Sequence, residues 1–153
     1  ELVVVILILS VLAATALPRF MDVQQDAHVA AVKGAGGGFG SAVSLAHAQW
    51  VANGSTAAVN NLPNFGSNNV NMNASGWPVS TTNGNANTAT GCVELWNGIM
   101  QNPPAAATAA GTGIDYVATY IAGNRCRFTY QGGGAMSITY DTDDGAVIVD
   151  AIF

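Results

Sequence analysis

Charged side chains are scarce in this sequence of 153 residues: Asp, Glu, Lys and Arg make up 8% of it, against about 25% in an average soluble domain. With 4 Lys and Arg residues and a formal net charge of −5, the chain cannot neutralise a row of phosphates. The 2 His and 2 Cys leave few ligands for a metal site and few partners for a nucleophile. We therefore expect neither an enzyme nor a nucleic-acid-binding protein.

Hydrophobic residues, by contrast, make up 50% of the chain, which excludes a disordered protein. They are concentrated in residues 2–17 (LVVVILILSVLAATAL), where Ser10 and Thr15 are the exceptions. As a helix this run is about 24 Å long, slightly less than the ~30 Å thickness of the hydrocarbon core of a bilayer. Because every face of the helix is apolar, we expect burial in a membrane or in the core of a filament.

Charged residues and a proline flank this run. Glu1 precedes it, and two interpretations stay open: stabilisation by the helix dipole, or pairing with a cation such as a backbone amine. Pro18 removes a helical hydrogen bond, so the stretch from Ser10 to Pro18 is predicted to be kinked or unwound. Arg19 and Asp22 are spaced to pair on one helix face, and in an assembly they would instead bridge subunits.

The helix is predicted to continue to about Trp50. Phe39, Val43, Ala46 and Trp50 form an apolar stripe at helical spacing, which we expect to pack on a sheet. The intervening sequence KGAGGGFG has five glycines, each of which costs a helix about 1 kcal/mol relative to alanine. Close approach of a neighbouring backbone and a flexible joint are the two explanations. A phosphate-binding loop is excluded, because no GK[ST] follows and no strand precedes.

Residues 53–91 contain no Asp, Glu, Lys or Arg. Their polarity without periodicity predicts a loop, held in places by a few larger or stiffer residues: Leu62, Phe65, Val70, Trp77 and Pro78. Such a loop offers hydroxyl and amide groups but no ionic chemistry. It suits lateral packing, glycans or neutral ligands.

The rest of the chain predicts one short helix and a sheet. The helix is CVELWNGIM, residues 92–100. Strands are predicted at 116–121, 125–130, 136–140 and 147–153, with turn residues in the gaps. Together they form a four-stranded antiparallel meander, so that the sheet region is 114–153.

The remaining residues with metal-binding or redox chemistry are few. Cys92 and Cys126 are a reduced pair in a cytosolic protein, or a disulfide in an exported one. Asp141, Asp143 and Asp144 resemble the start of a calcium loop, but the glycine is fifth rather than sixth. A hairpin turn with Gly145 in the left-handed conformation is the alternative to a weak calcium site. His28 and His47 are expected to decorate the helix rather than bind a metal.

The N-terminal sequence ELVVVILILSVLAATALPRF resembles the start of type IV pilins and of the related type II secretion pseudopilins. PRFMDVQQDA, Gly-Trp-Pro at 76–78 and Cys-x-x-Leu-Trp at 92–96 are most similar to major pilins of the mannose-sensitive-haemagglutinin type. The resemblance implies an α+β pilin fold, in which a long N-terminal helix packs on the four-stranded sheet. Residues 1–33 are then a protruding apolar helix, and 34–153 a globular head with the late disulfide.

The resemblance also implies a function. Pilins are cut by a prepilin peptidase, wait in the inner membrane, and are built by an assembly machinery into an extracellular homopolymer on a bacterial surface. We therefore expect a major structural subunit that serves adhesion or biofilm attachment, and motility if the fibre retracts. No cofactor is expected. The alternative is a pseudopilin, whose family holds calcium near the end of its sheet, here at Asp141 to Asp144.

Glu1 and Pro18 take assembly roles from the resemblance, and Arg19 and Asp22 join them because of their spacing. Glu1 would neutralise the N-terminal amine of its own or a neighbouring subunit, and Pro18 matches the proline around which the helix unwinds in filaments. Arg19 and Asp22 follow as candidate bridging charges. Ser10 stands where many pilins have glycine. The resemblance further implies roughly four mature residues before Glu1, which would bring the apolar span to about 20 residues, enough to cross a bilayer.

Overall fold

A single long helix, α1, opens the computed structural model, which describes residues 1–82 and 87–153. It extends over Leu2–Ala52, 51 residues, which corresponds to about 76 Å. The helix continues through Ser10 and Pro18, so the prediction of an unwound segment there is wrong for the single chain. A proline removes one backbone donor, and the helical bonds on either side hold the backbone in place.

The neutral segment after α1 contains more regular structure than predicted. Strands β1 (Asn71–Met72) and β2 (Pro78–Ser80) form a small antiparallel hairpin, and Met72 also bridges to Val59. The prediction of a loop throughout 53–91 is therefore wrong for these residues. Four of the five expected anchors are indeed buried: Leu62, Phe65, Val70 and Pro78.

The second helix, α2, covers Ala89–Ile99. The hydroxyl of Thr88 caps it by accepting a hydrogen bond from the Gly91 amide at 3.0 Å, which satisfies one of the free donors of the first turn. Its buried residues include Leu95, Trp96 and Ile99. This spacing of three to four residues directs one face of α2 into the core.

The main sheet has five strands in the order β3-β4-β5-β6-β7. They are β3 (Ala106–Ala107), β4 (Tyr116–Ile121), β5 (Arg125–Tyr130), β6 (Ser137–Asp141) and β7 (Val147–Asp150). The last four form the predicted antiparallel meander. The prediction of four antiparallel strands is nevertheless incomplete, because β3 pairs with β4 in parallel and makes the sheet mixed. The two alanines of β3 gave no strand signal in the sequence.

The core lies where α1, α2 and the sheet meet. The Phe39 ring stacks on Trp96 with centroids 5.2 Å apart and meets Tyr140 edge-on at 5.4 Å. Trp96 also contacts Phe128 of β5, at 4.5 Å. Each of these four side chains is fully buried, so one aromatic cluster fixes both helices to the sheet.

Candidate assembly surface

The N-terminal half of α1 does not pack on the rest of the described chain. Its large apolar side chains from Leu2 to Leu12 are 52–77% exposed. An 18-residue window of the helix has a mean hydropathy of 2.4 and is not buried at all, so α1 is long and apolar enough to cross a membrane. The exposed apolar residues continue as far as Val23. The part of this surface before Pro18, residues 2–17 of α1, is called the apolar rod below.

The side-chain hydroxyls of the apolar rod form hydrogen bonds with carbonyl groups of the same helix. The Ser10 hydroxyl donates to the Ile6 carbonyl at 2.7 Å. The Thr15 hydroxyl lies 3.0 Å from the Leu12 carbonyl and 3.3 Å from that of Val11. Because these hydroxyls need no outside partner, the rod can enter an apolar environment without leaving them unpaired.

The candidate assembly residues all lie on exposed helix. Glu1 is the N-cap position, where its carbonyl accepts the Val5 amide at 3.2 Å and its side chain caps nothing. Arg19 and Asp22 are both exposed. Within the described ranges 1–82 and 87–153, neither forms an ion pair, so their charges are not compensated inside a single chain. Pro18 lies inside the helix, between the rod's apolar run and these charges.

The helix becomes buried from Val32 onward, where it reaches the sheet. Gly36, Phe39, Val43 and Ala46 face the head, in agreement with the expected stripe. A Cβ on Gly36 would overlap Val149 Cγ2 of β7, so glycine permits the close contact there. Gly37 and Gly38 have open space around them instead.

The two cysteines join α2 to β5. Cys92 and Cys126 form a disulfide with Cα atoms 5.6 Å apart, and both residues are fully buried. It closes a loop with a sequence separation of 34 residues. The disulfide thus fastens the short helix to the centre of the sheet, away from the apolar rod.

The acidic segment after β6 forms a hairpin turn. Asp141 Oδ1 accepts the Asp143 amide and Asp144 Oδ1 accepts the Ala146 amide, both at 2.9 Å. Gly145 has φ +76°, the left-handed conformation expected for a turn glycine. In the part of the chain that the structure describes, no three His, Cys, Asp or Glu side chains converge as metal ligands. The Asp143 carboxylate accepts the side-chain amide of Asn124 at 3.0 Å instead.

The two histidines have contacts that the sequence did not indicate. His28 Nδ1 lies 2.8 Å from the Tyr130 hydroxyl. His47 Nδ1 lies 2.7 Å from the Gly76 carbonyl, and its ring stacks on Trp77 with centroids 4.1 Å apart. Both histidines connect α1 to the head.

Burial raises the pKa of two tyrosines in the head. The pKa of Tyr116 is raised to about 12, mainly because burial disfavours the charged form, with Tyr130 and Asp115 adding repulsion. The pKa of Tyr140 is raised further for the same principal reason, and its hydroxyl donates to the Pro78 carbonyl at 2.8 Å.

These features describe a head with a packed aromatic core and a long apolar helix whose N-terminal half the rest of the described chain leaves uncovered. Comparisons with models of protein families, with curated proteins and with solved structures find no match to this chain.

Proposed function

We propose that this chain is the major structural subunit of an extracellular filament of the type IV pilus class, anchored in the inner membrane before assembly. The observation that carries the proposal is the apolar rod. Its large side chains are exposed in the single chain, and apolar surface of this extent needs a partner in water. Lipid provides that partner before assembly, and the rods of other copies provide it afterwards.

The energetics favour assembly over exposure to water. Burial of each Leu, Ile or Val side chain contributes roughly 1.5–3 kcal/mol, and such residues occupy most of the rod. Because the rod is apolar on all sides, several neighbours can surround it at once. Contacts that repeat head to tail without closing generate a helical filament rather than a ring.

The charges at the two ends of the rod support a fixed register between copies. Glu1 lies at one end, and Arg19 and Asp22 follow the apolar run at the other. Since these side chains have no ion-pair partner among the described residues, they are available to a neighbouring copy. A carboxylate at the edge of apolar surface is stabilised by a nearby cation.

The head would face outward and serve adhesion or biofilm attachment. Its surface includes the neutral segment after α1, which is rich in amides and hydroxyls. The disulfide between Cys92 and Cys126 suits an oxidising extracellular environment. The prepilin peptidase and a pilus assembly machinery are the partners that this function requires.

The test is to shear the surface of producing cells, image the released material by electron microscopy, and identify its main protein by intact mass. Filaments built mostly of this chain are expected. A chain that stays in the membrane fraction, with no filament containing it, would contradict the proposal and leave the pseudopilin alternative to be tested with calcium.

Glu1→Ala tests the assembly role directly. We expect fewer filaments at unchanged amounts of folded chain, because the rod's terminal carboxylate is lost while the head is untouched. Asp26→Ala is the matched control, since Asp26 is an exposed carboxylate of α1 beyond the rod. Wild-type filament amounts in the Glu1 variant would reject the pairing role.

A further inference from the structure

A broad groove lies on the head, away from the apolar rod. It encloses a volume of about 880 Å³ between the C-terminal part of α1, the segment 64–69 and α2, and Leu45 and Asn97 are among its lining residues. A Cβ on Gly66 would lie 3.6 Å from the Gly98 carbonyl oxygen. The segment 64–69 therefore packs against the backbone of α2, and the groove is present in the single chain.

The groove is rich in hydrogen-bond acceptors and has no cation among its described lining residues. Helix α2 ends there at Ile99, with no basic residue in its last turn. The carbonyl groups of a last helical turn lack partners within the helix and carry partial negative charge. Asn69 Oδ1 is buried without a partner in the described chain, and Glu94 adds a carboxylate, whose Oε2 accepts the Thr82 hydroxyl. A buried acceptor without a hydrogen bond is unfavourable, so the groove favours a partner that donates.

Side-chain amides of the lining match the groups of a polypeptide backbone. Those of Asn64, Asn97 and Gln101 form no hydrogen bond with any described residue. Each presents a donor and an acceptor side by side, which is the same pair that a backbone peptide group presents. Leu45 and Met100 lie beside them and offer contact to small apolar side chains. The groove therefore suits an uncharged, extended segment of polypeptide.

The chain itself has an exposed segment with the complementary properties, residues 108–113 (Thr-Ala-Ala-Gly-Thr-Gly) between β3 and β4. All six residues are exposed, the longest such run outside α1 among the residues that the structure describes. Their backbone amides form no hydrogen bond within the described ranges. The segment has no charge and no side chain larger than threonine, and none of its residues lines the groove of its own chain. It therefore offers a row of free donors and brings no carboxylate toward Glu94.

We propose that the segment 108–113 of one copy docks in the groove of a neighbouring copy. The donors of the segment meet the acceptors of the groove, so the two surfaces are complementary in partial charge as well as in hydrogen bonding. Because they are different surfaces of the same chain, the contact is head to tail and repeats without closing. This inference rests on the proposed filament function, since it requires copies side by side, and it adds a contact between heads to the packing of the rods.

Disulfide cross-linking in sheared filaments tests the proposal. Asn97→Cys in the groove and Thr112→Cys in the segment are combined in the full chain, where both native cysteines are already held in a buried disulfide. Two cysteines link only when their Cα atoms come within about 7 Å. After mild oxidation, non-reducing electrophoresis is expected to show a ladder of dimers, trimers and longer oligomers. Each single variant should stay monomeric, and so should the matched control, Asn60→Cys with Thr112→Cys, since Asn60 is exposed and lies outside the groove.

Ala110→Asp provides a second measurement that needs no introduced thiol. It places a carboxylate on the segment, which then meets the acceptors of the groove and the Glu94 carboxylate. We expect about tenfold fewer filaments at unchanged amounts of folded chain, because like charges brought together at an interface repel. Asn60→Asp makes the same change of charge outside the groove and the segment, and should assemble as the wild type does.

The outcomes separate this contact from the filament function. Wild-type filaments, together with no ladder from the double-cysteine variant or with Ala110→Asp assembling normally, would overturn the docking contact and leave the filament function standing. Absence of wild-type filaments would overturn both. A cross-linked product that stops at the dimer would show a two-fold contact and would also overturn the proposal. If the double-cysteine variant does not assemble, the comparison of Ala110→Asp with Asn60→Asp decides.

Discussion

The contact between α1 and the edge of the sheet can be tested with two neighbouring glycines. Gly36 is buried against β7, and a Cβ there would overlap Val149 Cγ2 and lie 3.3 Å from Cγ1. Gly37, one residue later, has nothing within 4 Å of a built Cβ. Alanine at either position gives the same gain in helix propensity, so the two variants differ mainly in the contact with Val149.

The magnitudes follow from these two surroundings. Gly37→Ala is expected to stabilise the fold by about 0.5–1 kcal/mol, because alanine lowers the entropy cost of the helix. Gly36→Ala makes the same gain but overpacks a β-branched side chain that is stiff at χ1, at a cost of about 1–3 kcal/mol. The two variants should therefore differ by about 1–3 kcal/mol, which is at least roughly 2–4 °C in Tm for a protein of this size.

The assay is thermal unfolding of the full chain in detergent micelles, followed by the fluorescence of the three tryptophans, of which Trp96 is fully buried. The micelle covers the apolar rod, so the signal reports the head. The expected order of Tm is Gly37→Ala, wild type, Gly36→Ala. Equal Tm values for the two alanine variants would show that α1 does not approach β7 as closely as described and would refute the reasoning.

Three further predictions concern the head. Replacement of both Cys92 and Cys126 by serine should lower the free energy of unfolding in urea by about 3–4 kcal/mol, the chain-entropy value for a loop of this length; a loss below about 1 kcal/mol would argue against a constraining role. Because the pKa of Tyr116 is about 12 in the folded state and about 10 when unfolded, its stabilising contribution is complete below pH 10. It falls by up to about 1.4 kcal/mol per pH unit as pH rises toward 12, and Tyr116→Phe should reduce that slope in alkaline unfolding curves. Calcium should leave the Tm unchanged, since the turn amides occupy acceptor oxygens of the acidic segment; a calcium-dependent rise that Asp143→Ala abolishes would favour the pseudopilin alternative.

The sequence predicts the sheet well where periodicity and turn residues agree. Strands β4 and β5 have the bounds that were expected. Their β-branched and aromatic residues stop before and resume after the turn residues Gly123 and Asn124, which have φ +82° and +54°. The last strand ends at Asp150 rather than Phe153, since pairing with β6 stops at Ser137. Strand β3 could not be predicted, because its pairing comes from backbone groups of two alanines.

The candidate surfaces were predictable to different extents. The apolar rod follows directly from composition, since an uninterrupted aliphatic run has no face for solvent. The groove between the C-terminal part of α1, the segment 64–69 and α2 does not, because its amides come from segments far apart in the chain, from Asn64 to Gln101. Long-range packing, here the contact of Gly66 with Gly98, brings them together, and no local pattern records it.

The disulfide between α2 and β5 has a consequence for the response to mechanical tension. Cys92 and Cys126 are separated by 34 residues along the chain but by 5.6 Å between Cα atoms. A force that pulls on the chain ends is therefore carried by the disulfide bond, and the residues between the two cysteines bear no load. At about 3.3–3.6 Å per extended residue, the disulfide prevents roughly 110 Å of chain from being extended. Even if the head unfolded completely, these residues would not extend, so a subunit under excessive force lengthens less than it would without the disulfide.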